Sequence, residues 1–408
     1  MPLQIGIVGL PNAGKSTLFN ALTSANVAVA SYPFTTIEPH VGVVEVPDVR
    51  LDALARLIRP QKIVPATMLF VDIAGLVQGA HRGEGLGNQF LAAIREVDAI
   101  AFVLRCFEDA DVPHVSPTLD PIEDLAVLDI ELSLADLASV ERRIERTKST
   151  SKSNPKEHER ELAALAGLRD HLSSGQPART FVPSHSASRG MRQEDGSDDQ
   201  VLSLLSELFL LTSKPRLLVA NVGEDALPAG GALAARLVSV ATSGSPLSSV
   251  VPCLRKGATR PTARTSCGAT GGGSSQAIVL CAEIEAALIG WLPEEAAAYR
   301  AGLGLSEPGL DRLVHASYRL LDLITFFTVT GGEVVRAWTL QRGRTAWHAA
   351  GKVHTDIQHG FIRADIVRCD DLLAAGSMAR ARENAKLRSE GRDYVVQDGD
   401  VIHVHFSS

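Results

Sequence analysis

The chain has 408 residues, of which 45% are hydrophobic and 21% are charged, and its formal net charge is −7. These values predict a globular protein of two or three domains and argue against a general polyanion-binding surface. No segment approaches about 20 uncharged apolar residues, so we expect no membrane-spanning helix and no membrane partner. The five cysteines lack CxxC or zinc spacing and the N-terminus lacks a signal-peptide pattern, which indicates a cytoplasmic protein with reduced thiols.

The first half of the chain alternates short apolar strands with helical patterns. Strands are predicted at residues 3–9, 41–46, 66–72, 99–106, 216–221 and 277–282, and the first helix at about 15–23. This alternation is typical of a doubly wound, mostly parallel α/β sheet. The fifth strand leads into the polar loop Asn221–Glu224, and such loops lie at the sheet edge where ligands bind.

A long insertion separates the fourth and fifth strands. Two charged segments with apolar residues at helical spacing flank a polar break at 151–154, which predicts an antiparallel helical hairpin. Residues 243–275 are rich in Ser, Gly, Thr and Pro without a period, so a flexible insertion is expected there. The last 80 or so residues predict a small β-rich module, with strands in EVVRAWTL and DYVVQDGDVIHVHF and a turn at Asp398–Gly399.

These patterns predict the domain boundaries. The α/β domain comprises residues 1–120 and 205–300, and the inserted hairpin occupies residues 121–204. The flexible insertion covers residues 243–275, and the C-terminal module with its connecting helix covers residues 301–408.

The segment from Gly9 to Ser16 fits the pattern GxxxxGK[ST] and lies between a strand and a helix. Its glycines allow backbone N–H groups to surround a phosphate, and the helix N-terminus adds partial positive charge. Lys15 can reach the β- and γ-phosphates while the Ser16 hydroxyl binds Mg²⁺. The predicted phosphate-binding residues are Asn12, Ala13, Gly14, Lys15, Ser16 and Thr17.

Two further segments complete the predicted magnesium and γ-phosphate site. Asp72 ends the third strand, where a carboxylate would meet Mg²⁺ through water, and the Gly75 N–H would meet the γ-phosphate. Thr36, in the loop 32–39, is the candidate for the second protein ligand of Mg²⁺. The alternative for this loop is an ordinary proline-rich turn.

Four segments together resemble the YchF family, the Obg-like ATPase subfamily of P-loop GTPases: GLPNAGKSTLFNALT, YPFTTIEPHVG, DIAGLVQGAHRGEGLGNQFL and IREVDAIAFVLRCFEDADVPHV. The likeness covers most of residues 1–240 and resumes at about 277. The C-terminal stretch is similar to the family's TGS domain, a β-grasp module. The resemblance implies a P-loop nucleotide-binding domain, an inserted helical hairpin and a TGS domain, in that order.

The loop that opens at Asn221 bears on base selection. Guanine-specific relatives have NKxD there, whose aspartate accepts two hydrogen bonds from guanine, whereas this chain has Asn221-Val222-Gly223-Glu224. The lysine stem is missing and the carboxylate is longer, so guanine discrimination should weaken. The resemblance to YchF proteins implies ATP in preference to GTP, with Asn221, Val222 and Glu224 at the base. The alternative for Asn221, the best single contact, is that it caps a turn.

The sequence also departs from the family. Residues 238–276 do not match the expected compact strand and helix, and Cys281-Ala282-Glu283 replaces a Ser-Ala-Lys pattern that covers the base. The last wall of the base pocket therefore differs from the family pattern. Either a disordered insertion is tolerated there, or the stretch weakens nucleotide binding.

The catalytic prediction involves Lys15, Asn12, Gly75 and His114. Position 76 is leucine where related enzymes have the glutamine that orients water, so hydrolysis should be slow. Asn12 resembles an asparagine that holds K⁺ in relatives lacking this glutamine, and His114 matches a YchF histidine that would position water. The alternatives are a turn-stabilising Asn12 and an ordinary surface-loop His114.

We therefore expect a monomeric, magnesium-dependent P-loop ATPase that switches with nucleotide and acts with the ribosome or the translation and stress machinery. Basic residues bias the hairpin tip towards RNA phosphates: Arg142, Arg143, Arg146, Lys148, Lys152 and Lys156. One alternative is a GTP-specific GTPase. Another is a ribosome- or RNA-binding module in which the nucleotide is mainly structural.

Overall fold

The computed structural model describes residues 3–25, 40–73, 86–109, 111–114, 118–150, 155–182, 207–243 and 276–407. The chain forms two compact units. The phosphate-loop unit contains Gln4–Ala21 and Val71–Ser306, and the C-terminal unit contains Met1–Leu3, Leu22–Phe70 and Glu307–Ser408. Thr36 and Gly75, together with most of the predicted insertion 243–275, lie outside the described residues.

The strands, numbered in chain order, are β1 (Gln4–Val8), β2 (Val41–Glu45), β3 (Lys62–Val64), β4 (Thr67–Asp72), β5 (Ala99–Cys106), β6 (Arg216–Val222), β7 (Gln276–Leu280), β8 (Leu323–Thr330), β9 (Val334–Gln341), β10 (Phe361–Arg368), β11 (Arg388–Glu390) and β12 (Asp400–Phe406). The helices are α1 (Lys15–Ser24), α2 (Val49–Ile58), α3 (Leu86–Glu96), α4 (Pro121–Thr150), α5 (Pro155–Ser173), α6 (Gly231–Ser243), α7 (Ala282–Ala287), α8 (Pro293–Gly302), α9 (Gly309–Leu320), α10 (Ala346–Val353), α11 (Thr355–His359), α12 (Cys369–Ala375) and α13 (Met378–Glu383).

The phosphate-loop unit is built on a parallel sheet. Strands β1, β5, β6 and β7 lie side by side in this order, with Ile5 opposite Ala99 and Cys106 opposite Val222. Every residue of β5 is buried, as a parallel strand covered on both faces requires. Helices α3, α4, α6 and α7 contribute apolar side chains to the same core. The expected doubly wound P-loop fold is thus confirmed.

The helical hairpin is also confirmed. The first half of α4 packs in the core of the sheet, whereas Val140 and Ile144 pack against Leu165 and Leu168 of α5. Near the end of α4, the Thr147 hydroxyl donates to Glu161, at the start of α5, across 3.0 Å. A residue late in one helix therefore lies beside one early in the next, which makes the pair antiparallel.

A buried carboxylate joins α4 to the segment that leads into β6. Asp136 accepts hydrogen bonds from the backbone N–H groups of Leu211 and Thr212, both at 2.8 Å, and from the Thr212 hydroxyl at 2.7 Å. Burial raises the pKa of this carboxyl, and the hydrogen bonds oppose that effect. Arg216, the first residue of β6, also binds Asp129 of α4 at 2.7 Å. The start of β6 is therefore fixed to the base of the hairpin.

The C-terminal unit contains a second, mixed sheet in the order β11-β10-β12-β8-β9-β3. β8 and β9 form an antiparallel pair, as do β10 and β12, whereas β12 runs parallel to β8. Its core includes Ile324, Phe326, Leu340, Ile366 and Ile402. This sheet confirms the expected β-rich C-terminal module.

The prediction for the closing segment was partly wrong. Only residues 400–406 form a strand, and between Asp393 and Gln397 a single bridge from Val395 to Thr345 is formed. The Tyr394 hydroxyl and the Gln397 N–H both donate to Asp400, so the segment curls around that carboxylate instead of extending. The turn at Asp398–Gly399 is present, with Gly399 at φ 86°.

Two boundaries in the phosphate-loop unit also differ from prediction. β7 ends at Leu280 because Ala282 begins α7. Residues 238–243, where the sequence departed from the family, complete helix α6, so Ser243 is helical and not part of a flexible tract. Among the described residues, no helix is both long enough and apolar enough to cross a membrane.

Candidate nucleotide site

The phosphate loop joins β1 to α1, and its two glycines are required by space and by backbone geometry. A Cβ atom at Gly9 would lie 2.6 Å from the Val103 carbonyl oxygen on β5. Gly14 has φ 84°, and a Cβ atom there would collide with the Asn221 side-chain amide. Only glycine satisfies both positions, which gives the motif spacing a physical cause.

Lys15 and Asp72 form an ion pair across the end of the sheet. Lys15 is the first residue of α1, Asp72 is the last residue of β4, and the Lys15 Nζ atom donates to Asp72 Oδ1. Their side chains are 10% and 17% exposed. The ammonium group predicted to meet phosphate and the carboxylate predicted to meet Mg²⁺ are thus held together.

The first turn of α1 also carries the predicted hydroxyl groups. Ser16 and Thr17 are both exposed beside Lys15. Backbone N–H groups at a helix N-terminus favour anions, so this turn suits a phosphate group.

The residues present fit a magnesium ion. Mg²⁺ takes few protein ligands and prefers oxygen, with water and phosphate filling the other positions. The Ser16 hydroxyl and the Asp72 carboxylate are oxygen donors of this kind. The described parts of the chain contain no group of three or more His, Cys, Asp and Glu residues that could form an all-protein metal site.

Asn221 opens the loop Asn221–Glu224, here called the base loop, and it links the phosphate loop to the start of α7. Its Nδ2 donates to the Ala13 carbonyl at 3.0 Å, and its Oδ1 accepts from the Ala282 N–H at 2.9 Å. The residue is 4% exposed. Both ends of the side chain therefore serve the backbone, and its role as a base contact stays a prediction.

The other two predicted base residues differ in exposure. The Val222 side chain is buried in the core, whereas Glu224 is exposed at the start of a short 3₁₀ helix. The Tyr299 hydroxyl donates to Glu224 Oε1 at 2.6 Å. Tyr299 lies on α8, which the sequence did not connect with the base loop.

Arg105 is a residue of the site that sequence reasoning missed. It is 3% exposed at the end of β5, and its guanidinium donates to the carbonyl oxygens of Phe107 at 3.1 Å, Val112 at 3.0 Å and Asp109 at 3.3 Å. One side chain thus shapes the loop 107–114. The available signal was an arginine in the otherwise apolar strand AIAFVLRC, because a buried charge needs several partners.

The loop shaped by Arg105 holds Asn12 and His114 in place. Asn12 has φ 64°, and its Nδ2 donates to the Pro113 carbonyl at 3.0 Å. His114 Nε2 lies 3.1 Å from Asp124 Oδ2 on α4. Asn12 therefore links the phosphate loop to this second loop, and its role at a potassium ion stays a prediction.

His114 is not an ordinary surface-loop histidine. Its side chain is 12% exposed, and its partner Asp124 is 4% exposed. Burial raises the pKa of the Asp124 carboxyl, and the hydrogen bond from His114 opposes this rise. Asp124 thus fixes the orientation of the imidazole ring.

Two family profiles and several full-length relatives match this chain. A family profile described as "50S ribosome-binding GTPase" matches residues 4–131, and the profile YchF-GTPase_C, described as a protein of unknown function, matches residues 323–407. The ribosome-binding ATPase YchF of Bacillus subtilis (strain 168) is 44% identical, with 100% of both chains covered. The chain belongs to the YchF family.

Other YchF proteins agree with this assignment. The ribosome-binding ATPase YchF of Escherichia coli O157:H7 is 42% identical over 100% of both chains. The solved structure of the Schizosaccharomyces pombe YchF GTPase matches with a TM-score of 0.79 and 30% identity. This match covers 99% of the present chain and 98% of the Schizosaccharomyces pombe chain. The family expected from the sequence is confirmed, as is its architecture.

Replacing Arg105 by lysine should loosen the loop 107–114. Lysine keeps the charge but has one nitrogen where Arg105 uses three to reach separate carbonyl oxygens, and each lost hydrogen bond to a charged group costs about 1.5–3 kcal/mol. We expect faster amide hydrogen exchange in a peptide covering residues 107–114. Arg236→Lys, at an exposed ion pair with Asp120, is the control and should leave this exchange unchanged. Equal exchange in both variants would contradict the role of Arg105.

Proposed function

We propose that the chain is a nucleotide-dependent switch that binds ATP in preference to GTP and hydrolyses it slowly. The observation that carries this proposal is the phosphate loop, with Lys15 and Asp72 in contact at the end of the sheet. Support for ATP comes from the loop Asn221–Glu224, which lacks the lysine of guanine-specific relatives. The relatives named ribosome-binding ATPase support the same reaction.

The roles of the site residues follow from their chemistry. The backbone N–H groups of Ala13 to Thr17 and the Lys15 ammonium group would neutralise the β- and γ-phosphates. Ser16 would bind Mg²⁺ directly and Asp72 through water. The ion supplies charge neutralisation on the phosphate oxygens when bound. Thr36 as second magnesium ligand and the Gly75 N–H on the γ-phosphate belong to the same proposal.

The Lys15–Asp72 ion pair has a consequence for binding. A triphosphate would draw the Lys15 ammonium group away from Asp72 and leave that carboxylate for the metal. Lys15 would then bind phosphate and Asp72 would serve the metal in the same event, so nucleotide and Mg²⁺ should bind together.

Calorimetric titration with magnesium present tests the nucleotide preference. We expect ATP to bind more tightly than GTP, and Lys15→Ala to weaken both by more than about tenfold because a charged phosphate contact is lost. The control is Lys62→Ala, at an exposed lysine of β3, which should bind like the wild type. GTP binding at least about tenfold tighter than ATP would favour the GTP-specific alternative instead.

Slow hydrolysis is expected because position 76 is leucine. We propose that His114, oriented by Asp124, positions the attacking water. We also propose that Asn12 helps to hold a potassium ion that takes the place of an arginine finger. Asn12 donates to the carbonyl of Pro113, the residue before His114 in the loop that Arg105 shapes, and this proximity supports a shared part in catalysis.

The hydrolysis proposal predicts two changes in steady-state turnover. His114→Ala should lower kcat by about tenfold or more with little change in KM, because the residue acts on water and not on nucleotide binding. Wild-type turnover should be faster in KCl than in NaCl. An unchanged kcat in His114→Ala would remove the histidine from the mechanism, and equal rates in the two salts would remove the potassium ion.

The ribosome is the proposed partner, and we place its contact on the end of α4. Relatives that match along their full length are named ribosome-binding. In this chain Arg142, Arg146 and Lys148 are exposed on the last turns of α4. Basic side chains in this arrangement suit RNA phosphates. We also propose that the protein acts as a monomer in the cytoplasm. Light scattering of the purified chain would test the oligomeric state.

Co-sedimentation with ribosomes tests this contact. The double variant Arg142→Glu/Arg146→Glu should bind at least about tenfold more weakly, and the wild-type complex should weaken as salt rises. Arg169→Glu, an exposed arginine of α5 paired with Asp170, is the matched control. Binding that is identical with ATP, with ADP and without nucleotide would favour the alternative in which nucleotide is mainly structural.

A further inference from the structure

Helix α8 is anchored beside the base loop by two consecutive residues. The Tyr299 hydroxyl donates to Glu224 Oε1 at 2.6 Å, and Arg300 lies 3.5 Å from the buried carboxylate of Glu285 on α7. Ala296 is buried in the core of the phosphate-loop unit. The Trp291 and Tyr299 rings are 5.7 Å apart. Helix α8 is therefore fixed by packing and by an ion pair, and it presents the exposed Tyr299 side chain to Glu224.

Glu224 occupies the position at which a guanine-specific loop has its aspartate. Two hydrogen bonds to guanine require both carboxylate oxygens to face the N1–H and the 2-amino group. A 2.6 Å hydrogen bond from a phenol to a carboxylate is short and charge-assisted. It occupies one oxygen of Glu224 and turns the carboxylate towards α8. The same hydrogen bond raises the pKa of Tyr299.

We propose that Tyr299 is a specificity-determining residue, which restrains Glu224 and thereby withholds the paired acceptors that guanine needs. Adenine has an acceptor at N1 and no 2-amino group, so this restraint does not affect it. A guanine base would leave two donors without their acceptors, and unmatched polar groups are what discriminate between such ligands. The inference rests on the proposed function, in which the loop Asn221–Glu224 lies at a purine base.

Tyr299→Phe tests the proposal, because it removes the hydroxyl and keeps the ring that packs near Trp291. We expect the affinity for GTP to rise by about three- to tenfold relative to ATP, as the release of one carboxylate oxygen allows. The affinity for ATP should stay within about twofold of the wild type. Both values come from calorimetric titration with magnesium, on the full chain.

The matched control is Tyr394→Phe in the C-terminal unit. Tyr394 also donates its hydroxyl to a carboxylate, Asp400 Oδ2, at 2.9 Å. Its loss should leave the ratio of GTP to ATP affinity unchanged. In the double variant Tyr299→Phe/Glu224→Gln the gain for GTP should disappear, because an amide has a single acceptor oxygen.

Three outcomes would overturn the proposal. The first is an affinity ratio in Tyr299→Phe that stays within about twofold of the wild type. The second is weaker ATP binding without a gain for GTP, which would put the hydroxyl on the base itself. The third is a gain for GTP that persists in the double variant. A wild-type chain that binds no triphosphate at all would instead reject the proposed function, and this inference with it.

Discussion

The site depends on the buried amide of Asn221, which binds the phosphate loop 208 residues earlier in the chain and Ala282, 61 residues later. One hydrogen bond joins it to Ala13 in the phosphate loop and the other to Ala282 at the start of α7. A buried amide is stable only when its polar atoms are paired, so the positions of these segments are coupled. Gly14 must be glycine because a Cβ atom there would collide with this amide.

Local pattern was sufficient for the parallel sheet and for the phosphate loop. Strand β5 is apolar except for Arg105, and the spacing from Gly9 to Ser16 is tied to backbone geometry that few other residues permit. The helical hairpin could also be predicted, because apolar residues repeat at helical spacing through both helices. In these cases the neighbours in sequence carry most of the information.

The rest depends on contacts between distant residues, which spacing does not reveal. Residues 393–397 have the composition of a strand, yet they fold around Asp400, whose carboxylate accepts from Tyr394 and Gln397. The bracing role of Asn221, the carbonyl cluster around Arg105 and the meeting of Tyr299 with Glu224 are of the same kind. A charged or polar residue in an apolar stretch predicts that a partner exists, but not which one.

Strand β6 is held at both ends. Arg216 and the Asp136 contacts attach its start to α4, and Asn221 attaches its end to the phosphate loop. An extended strand of seven residues spans about 20 Å and cannot stretch further. The strand is therefore a rigid link between these two attachments. A displacement of α4 would therefore shift the phosphate loop along the direction of the strand, and a displacement of the phosphate loop would shift α4.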